Sequence, residues 1–294
     1  MVGIQAILAA TDFSPHAEQA VARAALLAQQ HKATLHLLHV LPAISWKMFG
    51  QMLSEHPLVT EKQLYKAANA RLSDVADACR KRYAIPVQFH IEVGRPHEHI
   101  ANYARLHAIN LTVLGSHADN FARDLFIGST ALRFLHEGTH PALIAKTLPH
   151  APYRTVLVAV DFSDISRTAI DSAARIAPGA VIHALHVYDV LFESKMRYAG
   201  VDERVIQQYR DAADAEASRM MGEFLLEPGR HGAILPIVRH GYPPRVILDE
   251  ADTLHADLII MGKHNRPGLN ELFLGSVTEA VLYGLDRDLL VVTD

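Results

Sequence analysis

Along the whole chain, short apolar runs alternate with longer stretches whose apolar residues recur every three to four positions, a pattern of strands followed by helices. In the first half it predicts strands over 4–10, 33–40, 86–92, 110–115 and 141–147, with helices over 15–31, 60–83, 96–107 and 129–137 between them. Such alternation is the mark of a parallel sheet covered on both faces. Ser14 stands as N-cap and Pro15 at the first helical position of the first helix. Ala17, Ala20, Val21, Ala24, Ala25 and Ala28 give it one buried face, and Ala169, Ile170, Ala173, Ala174 and Ala177 repeat that face later in the chain. Small residues there let the helix sit close to the sheet. The stretch 41–59, with Trp46, is less regular and reads either as a lid or as a plain loop.

The second half repeats the first. AILAATDFS at 6–14 answers TVLVAVDFS at 155–163, and LHLLHV at 35–40 answers IHALHV at 182–187. One offset of 147 residues links Gly94 to Gly241, Pro96 to Pro243, Gly115 to Gly262 and Gly128-Ser129 to Gly275-Ser276. Only the first block is displaced further, by 149 residues from Asp12 to Asp161, because QQHKAT after the first helix becomes PGAV. The chain therefore reads as two α/β domains, 1–147 and 154–294, joined by a short linker stiffened by Pro149 and Pro152. The apolar final strands, PALIAK and DLLVVT, would leave exposed sheet edges, which predicts that the two copies pack as an intramolecular pseudo-dimer.

Composition narrows the setting. The 294 residues are half apolar and one-fifth charged, the balance of an ordinary globular chain long enough for two cores. A net charge of −4 with scattered Lys and Arg offers no basic stripe for nucleic acid, and no apolar run suits a membrane span. The single cysteine, Cys79, rules out an internal disulfide and reads as an ordinary helix residue. With a start, MVGIQAILAATDF, that lacks signal-peptide character, these features predict a cytoplasmic protein.

In open parallel sheets ligands sit at the carboxyl ends of strands where the winding reverses. Three repeated features fall at such ends: Asp12 and Asp161 after the first strand, Val40 and Val187 ending the second, and Gly115 and Gly262 after the fourth. After the fourth strand the halves read GSHADNFARDLFIGST (115–130) and GKHNRPGLNELFLGSV (262–277), each with a Gly-Ser opening a helix. Glycine allows close backbone approach, and a helix start offers free N–H groups and the positive dipole end to an anion. The same residues also end strands and cap helices without any ligand.

On the strand-one Asp-Phe-Ser, the His-Val ending strand two and the long glycine pattern in both copies, the chain resembles the universal stress protein family in its tandem form. That resemblance implies two doubly wound, Rossmann-like five-stranded parallel sheets of order 3-2-1-4-5, dimerisation through the last strand, a stress-response role, and ATP bound by some members. Carried onto this sequence, it implies that Asp12 and Asp161 accept the ribose hydroxyls and that Val40 and Val187 meet the adenine through their backbones. Gly115, Gly128 and Ser129 in one copy, and Gly262, His264, Asn265, Gly275, Ser276 and Val277 in the other, would surround the phosphates. The pattern's middle glycine is Ala118 in the first copy and Asn265 in the second. Asparagine visits the left-handed region more readily than alanine, so the second domain is expected to be the better nucleotide site. The alternative for the two aspartates is a polar strand end satisfied by the following turn.

Nineteen histidines invite a metal site. Yet His36 and His39 are three apart on a strand and must face opposite ways, and His97 and His99 diverge on a helix, so no metal site is expected. His117 and His264 also recur between the copies. No GxxxxGK[ST], GxSxG or HExxH is present, and no general base can be named for ATP hydrolysis, so a non-enzymatic role is expected. Two functions remain: a regulator that binds ATP or AMP, or a ligand-free dimeric scaffold, conceivably a homodimer, acting through protein partners.

Overall fold

The computed structural model describes residues 3–42, 61–116, 127–137, 140–190, 193–226, 234–263 and 274–293. It divides into two compact units, Met1–Pro152 and Tyr153–Asp294. The first runs β1 (Ala6–Ala10), α1 (Pro15–His31), β2 (Thr34–Leu41), α2 (Glu61–Tyr83), β3 (Val87–Val93), α3 (Pro96–Leu106), β4 (Leu111–Gly115), α4 (Ser129–Glu137) and β5 (Ala142–Ala145). Its strands lie in the order β3-β2-β1-β4-β5, every neighbouring pair parallel. The winding reverses between β1 and β4, where Ile7 is level with Leu111 and Ala9 with Val113.

The second unit runs β6 (Thr155–Ala159), α5 (Asp164–Ile176), β7 (Val181–Tyr188), α6 (Glu193–Tyr198), α7 (Glu203–Leu225), β8 (Ile234–His240), α8 (Pro243–Thr253), β9 (Leu258–Gly262), α9 (Ser276–Gly284) and β10 (Asp288–Val292). Its order, β8-β7-β6-β9-β10, repeats the first, again with parallel pairs. The irregular stretch around Trp46 lies outside the described residues.

The central strands are apolar throughout because both of their faces are covered. Ile7, Leu8 and Ala9 of β1 and Val156, Leu157 and Val158 of β6 are wholly inaccessible, each large side chain contributing about 1.5–3 kcal/mol. α1 buries all six residues expected of its inner face. In α5 the expectation fails at one position: Ala174 is exposed and Ser172 is buried in its place. The shift accompanies a shorter helix, 13 residues against 17 in α1. The two residues missing from the second copy have therefore cost the helix its last turn, not merely the connection. α1 ends on Lys32 in the left-handed conformation (φ 54°, ψ 37°), whereas the corresponding connection turns on Gly179 at φ 90°.

Both copies use one device to tie the start of the central strand. The Asn110 side-chain oxygen accepts the amides of Gln5 (2.8 Å) and Ala6 (3.0 Å). Asp257 accepts those of Arg154 (2.7 Å) and Thr155 (3.0 Å). These bonds supply partners to edge amides that the parallel ladder has not yet reached.

Candidate functional site

At the reversal of winding in the first unit lies a cleft enclosing about 100 Å³. Asp12, Val40, Gly115, Gly128 and Ser129 all line it, so the structure brings together every first-copy residue implied at the sequence level that falls within the described residues. Leu38, Ile100 and Leu114 give it apolar walls, and Pro96 at the start of α3 borders it. α3 is placed there by a sharp turn at Gly94, whose φ of 150° suits glycine and whose Cβ would strike His99. α4 starts at Ser129, with the Gly128 amide donating to the Ser116 carbonyl at 2.7 Å. Ser129, Thr130 and Ala131, the first turn of α4, line the cleft, and the start of a helix is a place where anions bind.

Asp12 reaches the cleft because the chain turns abruptly after β1. The Ser14 hydroxyl caps α1 by accepting the Ala17 amide (3.2 Å), and the Asp12 carboxylate accepts the Ser14 amide (3.0 Å). Between them Phe13 adopts φ 67°, a strained conformation for a bulky residue. It is held by stacking on His39, ring centres 4.4 Å apart, and by the Arg71 guanidinium, 4.6 Å from its ring. His39 itself donates from Nδ1 to the Thr11 carbonyl at 2.7 Å, which fixes that nitrogen as protonated. The local turn thus does satisfy part of the carboxylate, as the bland alternative requires. It still leaves Asp12 exposed and bordering a cleft.

The second unit repeats this joint with one change. Phe162 has φ 67° and stacks on His186 at 4.1 Å, and His186 donates to the Val160 carbonyl at 2.9 Å. Ala17, however, is replaced by Ser166. The Ser166 hydroxyl donates to the Asp161 carboxylate (2.7 Å), and the same oxygen also accepts the Ser163 hydroxyl and the Ser163 amide. Asp161 thus engages one carboxylate oxygen with two serine hydroxyls and an amide, where Asp12 engages one with the Ser14 amide. Val187 and Gly262 stand at the ends of β7 and β9, and Gly275-Ser276 opens α9 with Val277 in its first turn. Ala118, His117, His264 and Asn265 lie outside the described residues.

The glycines divide into two kinds. A Cβ on Gly115 would lie 2.8 Å from the His16 carbonyl oxygen, and one on Gly262 2.8 Å from Ile165. Glycine is required there by the closeness of the first helix, a packing reason independent of any phosphate. Gly275 differs: its φ is −54° and a Cβ would meet nothing within 4 Å. Its missing side chain leaves open space over the start of α9.

Three features had no sequence-level reading. Lys263, immediately after β9, is 1% exposed, and burial pushes its ammonium down to about 8. The paired roles of His39 and His186 were signalled only by their repetition. His36, on the opposite face as expected, bonds Tyr103 (3.1 Å) and lies near His107, and its burial and His107 lower its proton affinity. His97 and His99 approach different carboxylates, Glu137 and Glu92. Among the described residues no three His, Cys, Asp or Glu side chains form a metal-binding group, and no helix is long and apolar enough to cross a membrane.

Comparison with known proteins agrees with this architecture. A family model described as the universal stress protein family matches twice, over residues 3–146 and 152–293. A universal stress protein of Mycolicibacterium smegmatis is 24% identical over 295 residues, covering 97% of this chain and 96% of that relative. Universal stress protein A homolog 1 of Coxiella burnetii is 29% identical over 147 residues, spanning 48% of this chain and 96% of its own length. The solved structure of a universal stress protein from Archaeoglobus fulgidus superimposes with a TM-score of 0.69, at 20% identity and 99% coverage of both chains.

Proposed function

The chain belongs to the universal stress protein family, and from that membership we propose that it is a stress-response regulator whose first unit binds an adenine nucleotide, ATP or AMP, without turning it over. The observation that carries this reading is the single cleft lined by Asp12, Val40, Gly115, Gly128 and Ser129. In it the adenine lies between the apolar walls and the Val40 backbone. The Asp12 carboxylate accepts the ribose hydroxyls, and the phosphates meet the start of α4. The enclosed volume is small, so the phosphates extend toward the open mouth.

The second unit is the competing site. Asn265, more tolerant of the left-handed region than Ala118, favours it. Against it stand the two serine hydroxyls already on Asp161 Oδ1. The test is the thermal stabilisation of Asp12→Ala and Asp161→Ala by ATP and AMP. Charge-assisted hydrogen bonds contribute about 1.5–3 kcal/mol each, and losing ~1.4 kcal/mol weakens binding about tenfold. Ligand at a hundredfold its dissociation constant stabilises the fold by about 2.7 kcal/mol, which is readily measured. We expect Asp12→Ala to lose half or more of that shift and Asp161→Ala to keep it. The reverse pattern moves the site to the second unit. No stabilisation of the wild type at millimolar nucleotide leaves the ligand-free scaffold acting through protein partners.

A further inference from the structure

A second cavity in the first unit lies on the other side of the Thr11–Phe13 turn, between α1 and α2, and encloses about 300 Å³. Val21 and Ala22 of α1 and Val75, Ala78 and Cys79 of α2 give it an apolar lining. Its rim is charged and unbalanced: Arg71 and Arg82 on α2 oppose the lone carboxylate of Glu18 on α1. The two arginines stand eleven residues apart on one helix, or about 16 Å at ~1.5 Å per residue. Arg71 is committed to the Phe13 carbonyl (3.2 Å) and ring. Arg82 touches the face of Tyr83, 5.4 Å from its centre, and pairs with no acidic side chain among the described residues.

The duplicate shows what a filled version of this space looks like. In the second unit Phe224 of α7, 4% exposed, packs edge-on against Phe162 at 5.6 Å. Arg167, which occupies the position of Glu18, lies over the Phe224 ring at 4.9 Å. The second unit thus places an aromatic ring and a cation where the first leaves an apolar hollow.

We propose that this cavity is a ligand site separate from the nucleotide cleft, and that it takes a medium-chain aliphatic carboxylate. Small aliphatic side chains in the lining suit an alkyl chain lying between the helices, and the cavity size falls at the lower end of the ~300–1,000 Å³ typical of small-molecule sites. The net positive rim selects an anionic head. Arg82 receives the carboxylate on its N–H edge, the bidentate geometry for which guanidinium is suited. Thr11 borders both cavities, but the site stands on its own walls whether or not the cleft binds nucleotide.

The test uses the full chain and sodium decanoate below its micellar concentration. Isothermal titration should give a saturable one-to-one isotherm. Cys79, the only cysteine of the chain, is 6% exposed with its thiol pushed up to about 11 by burial. Its slow reaction with a disulfide reagent should slow further as decanoate saturates. Val75→Phe, which sets a ring among the cavity walls, should abolish the isotherm without lowering the thermal midpoint; if that variant does not fold, Ala78→Leu serves the same purpose. Arg82→Glu, and decanol in place of decanoate, should each weaken binding roughly tenfold, the loss expected of one charge-assisted pair. No saturable heat overturns the proposal. So does binding that survives both cavity-filling variants, or affinity indifferent to Arg82 and to the carboxylate.

Discussion

Replacing Lys263 by methionine should stabilise the second unit at neutral pH. Folding takes this ammonium from water to a site 1% exposed, and its proton affinity falls from 10.5 to about 8. At ~1.36 kcal/mol per decade of proton affinity, keeping the charge in place at pH 7 costs about 3 kcal/mol. Methionine keeps the unbranched stem and removes the charge. Hydrogen bonding lost with the ammonium subtracts about 1 kcal/mol, leaving a net gain near 2 kcal/mol. The sign depends on pH in a defined way. Below pH 8 lysine is protonated in both states and the penalty is complete. Between about 8 and 10.5 the unfolded chain holds the proton that the folded one has released, so wild-type stability climbs relative to the variant. Urea unfolding followed by circular dichroism at pH 7 and pH 10 reads both quantities. A variant less stable than wild type at pH 7, or a difference that does not shrink by pH 10, would refute the burial argument.

Gly115→Ala should destabilise the first unit by about 1–3 kcal/mol, because the new methyl meets the backbone of His16 and Ala17 at 2.8–3.0 Å. Gly262→Ala meets only the Ile165 side chain, so adding Ile165→Ala should recover much of its loss, whereas no such truncation rescues Gly115→Ala in thermal melts. His36 has its proton affinity lowered by burial and then by His107. The first unit should therefore lose stability as pH falls below about 6.5, the unfolded histidine's ordinary value, and His36→Gln should flatten that decline in melting temperature. Asn110→Ala strips two strand-start amides of their acceptor and should cost about 1 kcal/mol in urea unfolding, with a similar loss in Asp257→Ala.

The architecture was legible because the central strands are covered on both faces, which makes them unbroken apolar runs that stand out between amphipathic helices. α1 and α4 were readable to the residue, since Ser14-Pro15 and Gly128-Ser129 punctuate their starts. The first-copy candidates could be read as strand ends and a helix start, and the structure gathers them at one cleft. Gly115 and Gly262 read as phosphate cradles, yet the closeness of the first helix already demands them. The difference between the two carboxylates rests on Ala17 against Ser166, a methyl exchanged for a hydroxyl that no periodicity marks. The hollow between α1 and α2 depends on the relative phase of two helices, and Val75 read alone is an ordinary apolar helix residue. Lys263 drew no reading, because the burial of a residue just after a strand end is invisible to local pattern.

Phe13 and Phe162 share one improbable backbone conformation, φ 67° in both copies, each held by the same stacked histidine. A non-glycine residue there costs on the order of 1–3 kcal/mol, so two independent origins for the same kink, the same ring and the same clamp would be an extravagant coincidence. The kink belongs to the single ancestral gene, older than its duplication. The two halves diverged around it afterwards, at Ala17 against Ser166 and Glu18 against Arg167, so that one kink now carries a different hydrogen-bond pattern and a different ring contact in each copy.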